Sequence, residues 1–239
     1  MTLSIRSTLP EEMDDEDLDT ASYERCLTEL DFINRITFTH RPTLHWLARA
    51  TRDLPVGVTF SVLDVGYGHG DLLRAIARWA DKRGLNAHLS GIDLNPRSAA
   101  AARAATAPNV AIDYLTGDVF SYTPPTQVDF IVSSQFTHHL TDGQIVMFIR
   151  WMEARARRGW FIGDLHRHWL PYYGFGALAW LARWHHFVLS DGRISIARSF
   201  VPADWRRLVR AARLADDDDV AVSWHLPFRL CVARHCPTR

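Results

Sequence analysis

The run Val58-Thr59-Phe60-Ser61-Val62-Leu63-Asp64-Val65 stops at Gly66-Tyr67-Gly68-His69-Gly70, and no other stretch constrains the chain as much. An apolar, β-branched run without polar alternation is expected of a strand buried on both faces of a parallel sheet. The glycines then let the backbone turn at positive φ and let a ligand approach the main chain closely. From Asp71 to Arg83, Leu72, Leu73, Ile76 and Trp79 recur at helical spacing. A strand that feeds a glycine turn into a helix N-terminus opens a βαβ unit and offers free N–H groups to a ligand.

The same alternation continues. Strands are expected at Ala87–Asp93, Val110–Leu115, Val128–Ser133 and Gly159–Asp164, and helices at Pro96–Ala105 and Asp142–Ala156. This is the pattern of a doubly wound α/β fold with a mostly parallel sheet. Pro202–Leu214 is expected to be a helix. Val220–Trp224 and Phe228–Arg234, separated by a turn with Pro227, predict a C-terminal antiparallel hairpin. Residues 1–50 form an N-terminal unit, an acidic and loosely docked lead-in followed by two helices in Ser22–Ala50 broken near Pro42. Residues 51–239 form the main domain. Within it, residues 165–198 are expected to be a helical cap insertion over the substrate.

Composition excludes several classes. Formal net charge is +0 over 239 residues, so no global field recruits nucleic acid or an anionic membrane. The acidic clusters Glu11–Asp19 and Asp216–Asp219 and the basic group Arg155, Arg157 and Arg158 read as solvated surface. Three cysteines, Cys26, Cys231 and Cys236, are too few for a disulfide framework; they suggest reduced thiols and a cytoplasmic setting. No secretory leader and no membrane span is expected, since Leu170–Leu189 is interrupted by Arg183, His185 and His186.

The glycine spacing separates ligand classes. A nicotinamide fingerprint requires G-x-G-x-x-G and a P-loop requires Gly-Lys-Ser/Thr, whereas this loop is G-x-G-x-G with Asp64 before it and Asp71 after it. An acidic side chain and a helix bearing Asp71 are poor hosts for a pyrophosphate, and the acid at the loop entrance, Asp64, suits a ligand bearing an ammonium group. Asp93, at the end of the second strand, can accept both hydroxyls of a ribose, the alternative being a helix cap before Pro96. Asp118, in Leu115-Thr116-Gly117-Asp118-Val119, can accept from an adenine amino group, with Leu94 and Val119 flanking the ring; the alternative is a surface-loop acid.

Asp64 to Gly70, Ile92-Asp93 and Gly117-Asp118 resemble, in order, the motifs of class I S-adenosyl-L-methionine (SAM)-dependent methyltransferases, over residues 56–164. The resemblance implies a seven-stranded sheet ending in the hairpin, with SAM as the cofactor. It implies that Asp64, Gly66, Gly68 and Gly70 pack on the methionine part, that Asp93 binds ribose, and that Asp118 binds adenine between Leu94 and Val119. Ser134, at the end of the fourth strand, is expected on the cofactor side. Met13-Asp14-Asp15, Ile33-Asn34-Arg35, Asp164-Leu165-His166-Arg167-His168 and Tyr172-Tyr173-Gly174 are similar to a bacterial subgroup associated with polyketide and phenolic metabolism.

Ligands in such sheets bind beyond the carboxyl ends of the strands. His139 and His166 are therefore the candidates for a base or acceptor-orienting group, with Asp164 a candidate orienter. His69 reads as a helix N-terminal residue. His166 and His168 lack a third ligand, so no metal is expected. The expected acceptor is a small aromatic or lipophilic molecule methylated on a hydroxyl oxygen. Trp169, Tyr172, Tyr173, Phe175, Trp180, Trp184 and Phe187 would wall it in, or else form a packing or homodimer surface. Carbon methylation of a quinone or polyketide ring and a non-catalytic SAM-binding module are the alternatives. Nucleic-acid methylation is disfavoured by the neutral charge and by Ser133-Ser134-Gln135-Phe136 after the fourth strand.

Overall fold

The structure is a computed structural model that describes residues 3–15, 17–174, 186–214 and 219–236, with the side chains of 186–189 left aside. Seven strands form one sheet in the order β3-β2-β1-β4-β5-β7-β6. They are β1 (Thr59–Val65), β2 (Asn86–Asp93), β3 (Ile112–Thr116), β4 (Val128–Ser134), β5 (Ala156–Leu165), β6 (Ala221–His225) and β7 (Arg229–His235). β1 to β5 pair in parallel, and β7 runs antiparallel between β5 and β6. The doubly wound architecture and the terminal hairpin match the sequence expectation, with boundaries displaced by a few residues.

The helices are α1 (Thr20–Ile36), α2 (Arg41–Ala50), α3 (Asp71–Lys82), α4 (Pro96–Ala104), α5 (Asp142–Arg155), α6 (His186–Arg198) and α7 (Pro202–Ala212). Their starts follow local chemistry. The Asp19 side chain accepts the Ser22 N–H at the start of α1, Asn95 accepts the Arg97 N–H before α4, and Thr141 with Gln144 forms a capping box on α5. Pro42 sits in the first turn of α2, where its missing N–H costs nothing.

The β-rich run of β1 is sandwiched. Phe60 and Val62 join a core with Trp46, Leu73, Ile76 and Phe161 on one face, while Leu63 and Val65 join Phe148, Met152, Trp160 and Trp205 on the other. Each fully buried side chain of this kind contributes about 1.5–3 kcal/mol relative to exposure. The chain crosses from β3 at one edge to β4 beside β1, so β1 and β4 diverge beyond their carboxyl ends. That divergence is where a doubly wound sheet opens a crevice.

The N-terminal residues belong to the same body. Tyr23 and Leu27 of α1 pack with Ala101 of α4, and Tyr23 Oη lies 2.8 Å from Ser98 Oγ. The ring of Trp46 in α2 stands 5.6 Å from that of Phe130 and 5.5 Å from that of Phe161. The lead-in before α1 is docked by specific bonds. Arg6 donates to Arg198 O at 2.8 Å and to Asp142 Oδ1 at 2.6 Å and covers the Phe200 ring, and Ser7 N–H donates to Ala197 O. A short 3-10 turn, Glu12–Asp14, follows. Its first two N–H groups donate to the buried Asp191 of α6 at 2.8 and 3.0 Å.

One surface expectation is corrected. Glu11 is 4% exposed, because the turn folds it inward beneath α6. Arg157 is exposed as expected, and it and Arg158 pair with buried Asp129, at 2.5 and 3.2 Å. Asp216 to Asp218 lie outside the described residues, as do Phe175, Trp180 and Trp184 and the side chain of Phe187. No disulfide joins the cysteines among the described residues. No described helix is long and apolar enough to cross a membrane.

Candidate active site

Gly66, at φ +74°, begins the bend after β1. A Cβ there would stand 2.7 Å from the Phe136 ring, so glycine is required by conformation and by space together. Gly70, at φ +73°, ends the bend and fronts Tyr114, whose hydroxyl would lie 2.5 Å from a Cβ. The loop backbone is pinned from the second strand: Asp93 Oδ2 accepts the Gly68 N–H at 2.9 Å. The other oxygen of Asp93 accepts Asn95 N–H at 2.9 Å and Ser98 Oγ–H at 3.2 Å. Asp93 is thus both the cap of the β2–α4 turn and a carboxylate facing the bend.

Beyond the carboxyl ends of β1 and β4 lies a cavity of about 1310 Å³. This exceeds the roughly 300–1,000 Å³ of a single-ligand pocket. Gly66, Gly68, Asp93, Leu94, Asp118, Val119 and Ser134 all line it. Leu94 is 73% exposed and Val119 buried, so one offers an apolar edge and the other a floor. Asp118 Oδ1 accepts the Phe120 N–H at 2.9 Å, which fixes the carboxylate at the rim.

Asp64 and Gly70 are not among the lining residues. Asp64 is 2% exposed beneath the bend, its Oδ1 has no hydrogen-bond partner, and burial, with Asp71 and Asp93 adding to it, raises its pKa well above the carboxylate range. The carboxylate at the cavity wall is Asp71, one residue past the last glycine. It accepts from Asn34 Nδ2 at 2.9 Å and lies 2.8 Å from His40 Nε2, and Gln135 Nε2 donates to Asn34 Oδ1 at 2.7 Å. Burial pushes Asp71 up, but the His40 and Asn34 hydrogen bonds and nearby positive charge hold it at about 2. Gln135 takes a left-handed conformation, φ +54°, at the end of β4. Strain of that kind at a non-glycine residue is tolerated where surrounding contacts over-determine it.

The opposite wall carries the histidines. Asp164 is fully buried and does not line the cavity. It accepts from Thr137 Oγ1 at 2.5 Å, His138 N–H at 3.0 Å and Leu165 N–H at 2.7 Å, and its Oδ1 lies 2.7 Å from His138 Nδ1. Burial pushes Asp164 up, but His138 and these donors bring it down to about 2. The orienter expected from sequence therefore serves His138, which sequence reasoning passed over, rather than His139 or His166. The 3-10 turn Thr137–His139 is the cause, since it points His138 inward and turns His139 toward the N-terminal segment. His139 Nδ1 lies 3.0 Å from Asp14 Oδ2. His166 lines the cavity, its Nδ1 is buried without a partner, and burial with nearby His168 and Arg167 lowers its pKa.

Glu11 closes this wall. Its Oε1 is 3.5 Å from His138 Nε2, its Oε2 is 3.9 Å from His139 Nε2, and burial raises its pKa to about 7. His69 lines the cavity beside the bend, with Nδ1 3.0 Å from Asp31. The described part of the cap differs from the aromatic wall expected. Leu170, Pro171 and Gly174 face the cavity with Phe136 and Phe228, while Trp169 and Tyr173 are exposed and Tyr172 packs under Arg193. The helical turn at 169–174 puts positions four apart on one face, which sequence composition does not reveal. Glu11, Asn34, Asp71 and His138 are the functional candidates missed. Asn34 was visible only as part of a short resemblance, and Glu11 was hidden in an acidic run.

Residues 62–159 match the methyltransferase domain family. No curated protein matches this sequence. Among solved structures, magnesium protoporphyrin IX methyltransferase from Synechocystis PCC 6803 with bound SAH superposes with a TM-score of 0.55 at 16% identity, covering 92% of this chain and 89% of that one. The plantazolicin methyltransferase BamL, in complex with a triazolic desmethyl analogue and SAH, gives 0.61 at 12% identity, covering 84% and 71%. The related BpumL, with a monoazolic analogue and SAH, gives 0.60 at 13%, covering 90% and 88%. At such identities the likeness speaks for the fold, and it extends well beyond the matched domain. The chain has the fold of these methyltransferases, and its residues 62–159 match the methyltransferase domain family.

Proposed function

We propose that the chain methylates a hydroxyl oxygen of a small aromatic or lipophilic acceptor, of the phenolic or polyketide kind. The observation that supports this most is one continuous cavity with two chemically distinct ends. One end has the glycine bend with Asp93 and Asp118, and the other has the histidines set among apolar side chains.

The donor set fits SAM. Asp93 faces ribose, Leu94 and Val119 take the two faces of adenine, and Asp118 accepts from its amino group. Gly66 and Gly68 leave room for the methionine part. Ser134 stands at the end of β4, and Asp64 acts from behind the bend rather than by contact. When bound, SAM would supply a sulfonium methyl whose carbon the acceptor oxygen attacks in line, the O–C bond forming as the C–S bonding pair passes to sulfur to leave SAH. The protein's part is alignment, exclusion of water and management of the acceptor proton. His166, its pKa lowered by burial and by nearby His168 and Arg167, faces the cavity with a ring nitrogen free to take that proton. His139, backed by Asp14, and His138, backed by Asp164, orient the acceptor.

Methyl transfer from labelled SAM to a panel of phenols, quinone precursors and fatty-acyl polyketides, with products identified by mass, tests the reading. SAH is expected to raise the melting temperature and NAD to leave it unchanged. Stabilisation by NAD alone would overturn it.

A further inference from the structure

We propose that Glu11, His138 and His139 form a binding site for a divalent first-row transition metal in the acceptor end of the cavity. The three side chains each offer one ligand atom, and these atoms lie within 4.8 Å of one another. All three residues line the cavity. Two imidazoles and one carboxylate are the ligand set of metal sites that keep open positions.

The orientation of the rings carries the argument. A metal-bound histidine gives its remaining ring N–H to a carboxylate or carbonyl. Here both do so. His138 Nδ1 is 2.7 Å from Asp164, and His139 Nδ1 is 3.0 Å from Asp14. Both Nε2 atoms are thereby turned to the same carboxylate, Glu11, at 3.5 and 3.9 Å. These separations are too long for good hydrogen bonds. Glu11 Oε1 accordingly has no hydrogen-bond partner, although Glu11 is 4% exposed. A buried carboxylate oxygen left in that state costs stability unless something binds it. A cation about 2.1 Å from each ligand needs ligand atoms about 3.0–3.4 Å apart, a contraction within reach of side-chain rotation.

Charge points the same way. Glu11 and Asp14 share one guanidinium, that of Arg198, 3.9 Å from Glu11 and 3.7 Å from Asp14, whereas Asp164 also has the charges of Arg229 and Arg6 near it. With neutral imidazoles Glu11 and Asp14 carry one excess negative charge over Arg198, which a cation offsets. Arg198 is held off the site by its own bonds to the carbonyls of Leu9, His138 and His139. The Glu12–Asp14 turn, tied to Asp191, fixes the approach of Glu11. The open positions of the metal would face the acceptor, where a Lewis acid lowers the pKa of a bound hydroxyl. That last role rests on the proposed oxygen methylation, whereas the metal site does not.

The test uses the full chain, stripped with chelator and titrated with Zn²⁺ in a calorimeter and with Co²⁺ by visible absorption. One equivalent is expected, with ligand-field bands for Co²⁺. Glu11→Gln and His139→Ala should each weaken Zn²⁺ binding by about a hundredfold, and Asp14→Asn by about tenfold through its effect on His139. His88→Ala, on an exposed strand position, should bind as the wild type does. Asp14→Asn and His139→Ala keep the test valid should Glu11→Gln fail to fold. Absence of stoichiometric uptake by the wild type, or wild-type affinity in Glu11→Gln and His139→Ala, would overturn the site. SAH affinity is measured on the same proteins. SAH binding without metal uptake removes only the metal site, and metal uptake without SAH binding removes only the methyltransferase reading.

Discussion

Substituting Asp93 by alanine removes a carboxylate that already accepts Gly68 N–H and Asn95 N–H, each at 2.9 Å, and Ser98 Oγ–H at 3.2 Å. A carboxylate has about four lone-pair directions. Oδ1 uses two of them and Oδ2 one, so a single full acceptor position, on Oδ2, is left for a ribose hydroxyl. A hydrogen bond to a charged acceptor is worth about 1.5–3 kcal/mol. Asp93→Ala should therefore weaken SAH binding by roughly 10- to 150-fold. The same substitution also releases Gly68, which loosens the bend and weakens any ligand there. A 2′,3′-dideoxy analogue of SAH separates the two effects, because loosening penalises both ligands while loss of the ribose contact penalises only SAH. By calorimetry the wild type should prefer SAH over the analogue, and Asp93→Ala should bind the two alike. If the variant keeps the wild-type preference, Asp93 does not touch the ribose and acts only as a loop cap.

Gly66→Ala puts a Cβ 2.7 Å from Phe136 at φ +74°. It should lower stability by about 1–3 kcal/mol in denaturant melts and reduce SAH affinity; an unchanged midpoint and affinity would mean the bend has slack. Asp71 is held at about 2 in the folded chain, against about 3.9 when unfolded. Its contribution is thus present above pH 4 and is lost as pH falls through 2. Asp71→Asn should remove on the order of 2 kcal/mol of the acid-dependent change in unfolding free energy between these limits, and an identical pH profile would refute this. His166→Ala should lower kcat by about 10² or more with SAH affinity nearly unchanged. A wild-type rate sinks the base assignment.

The glycine bend, Asp93 and Asp118 were legible because each sits at the carboxyl end of a strand whose own residues announce it. The parallel pairing Val65↔Ile92 then brings the first two motifs side by side. The helix starts were legible for the same reason: Asp19, Asn95 and Thr141 act on N–H groups only two or three residues away. Asp164 was singled out, but its partner was not, since choosing between His138 and His139 depends on how a short 3-10 turn is rotated. Glu11 and Asp14 read as solvated acids because nothing near them in the chain predicts burial. They are placed by Arg6, Asp191 and Arg198, which come from the lead-in and α6.

By itself the sequence determined what depends on neighbours along the chain. That comprises the alternation of strands and helices, the bend, its three successive acids, and with them the fold class. Only the tertiary structure decided which of those acids reach the cavity, that Asp164 serves His138, and that Glu11 meets two imidazoles 3.5 and 3.9 Å away. The division is physical. Backbone propensity and capping act over a few residues, whereas the histidine wall joins groups such as His139 and Asp14, 125 positions apart, brought together only when the core is packed.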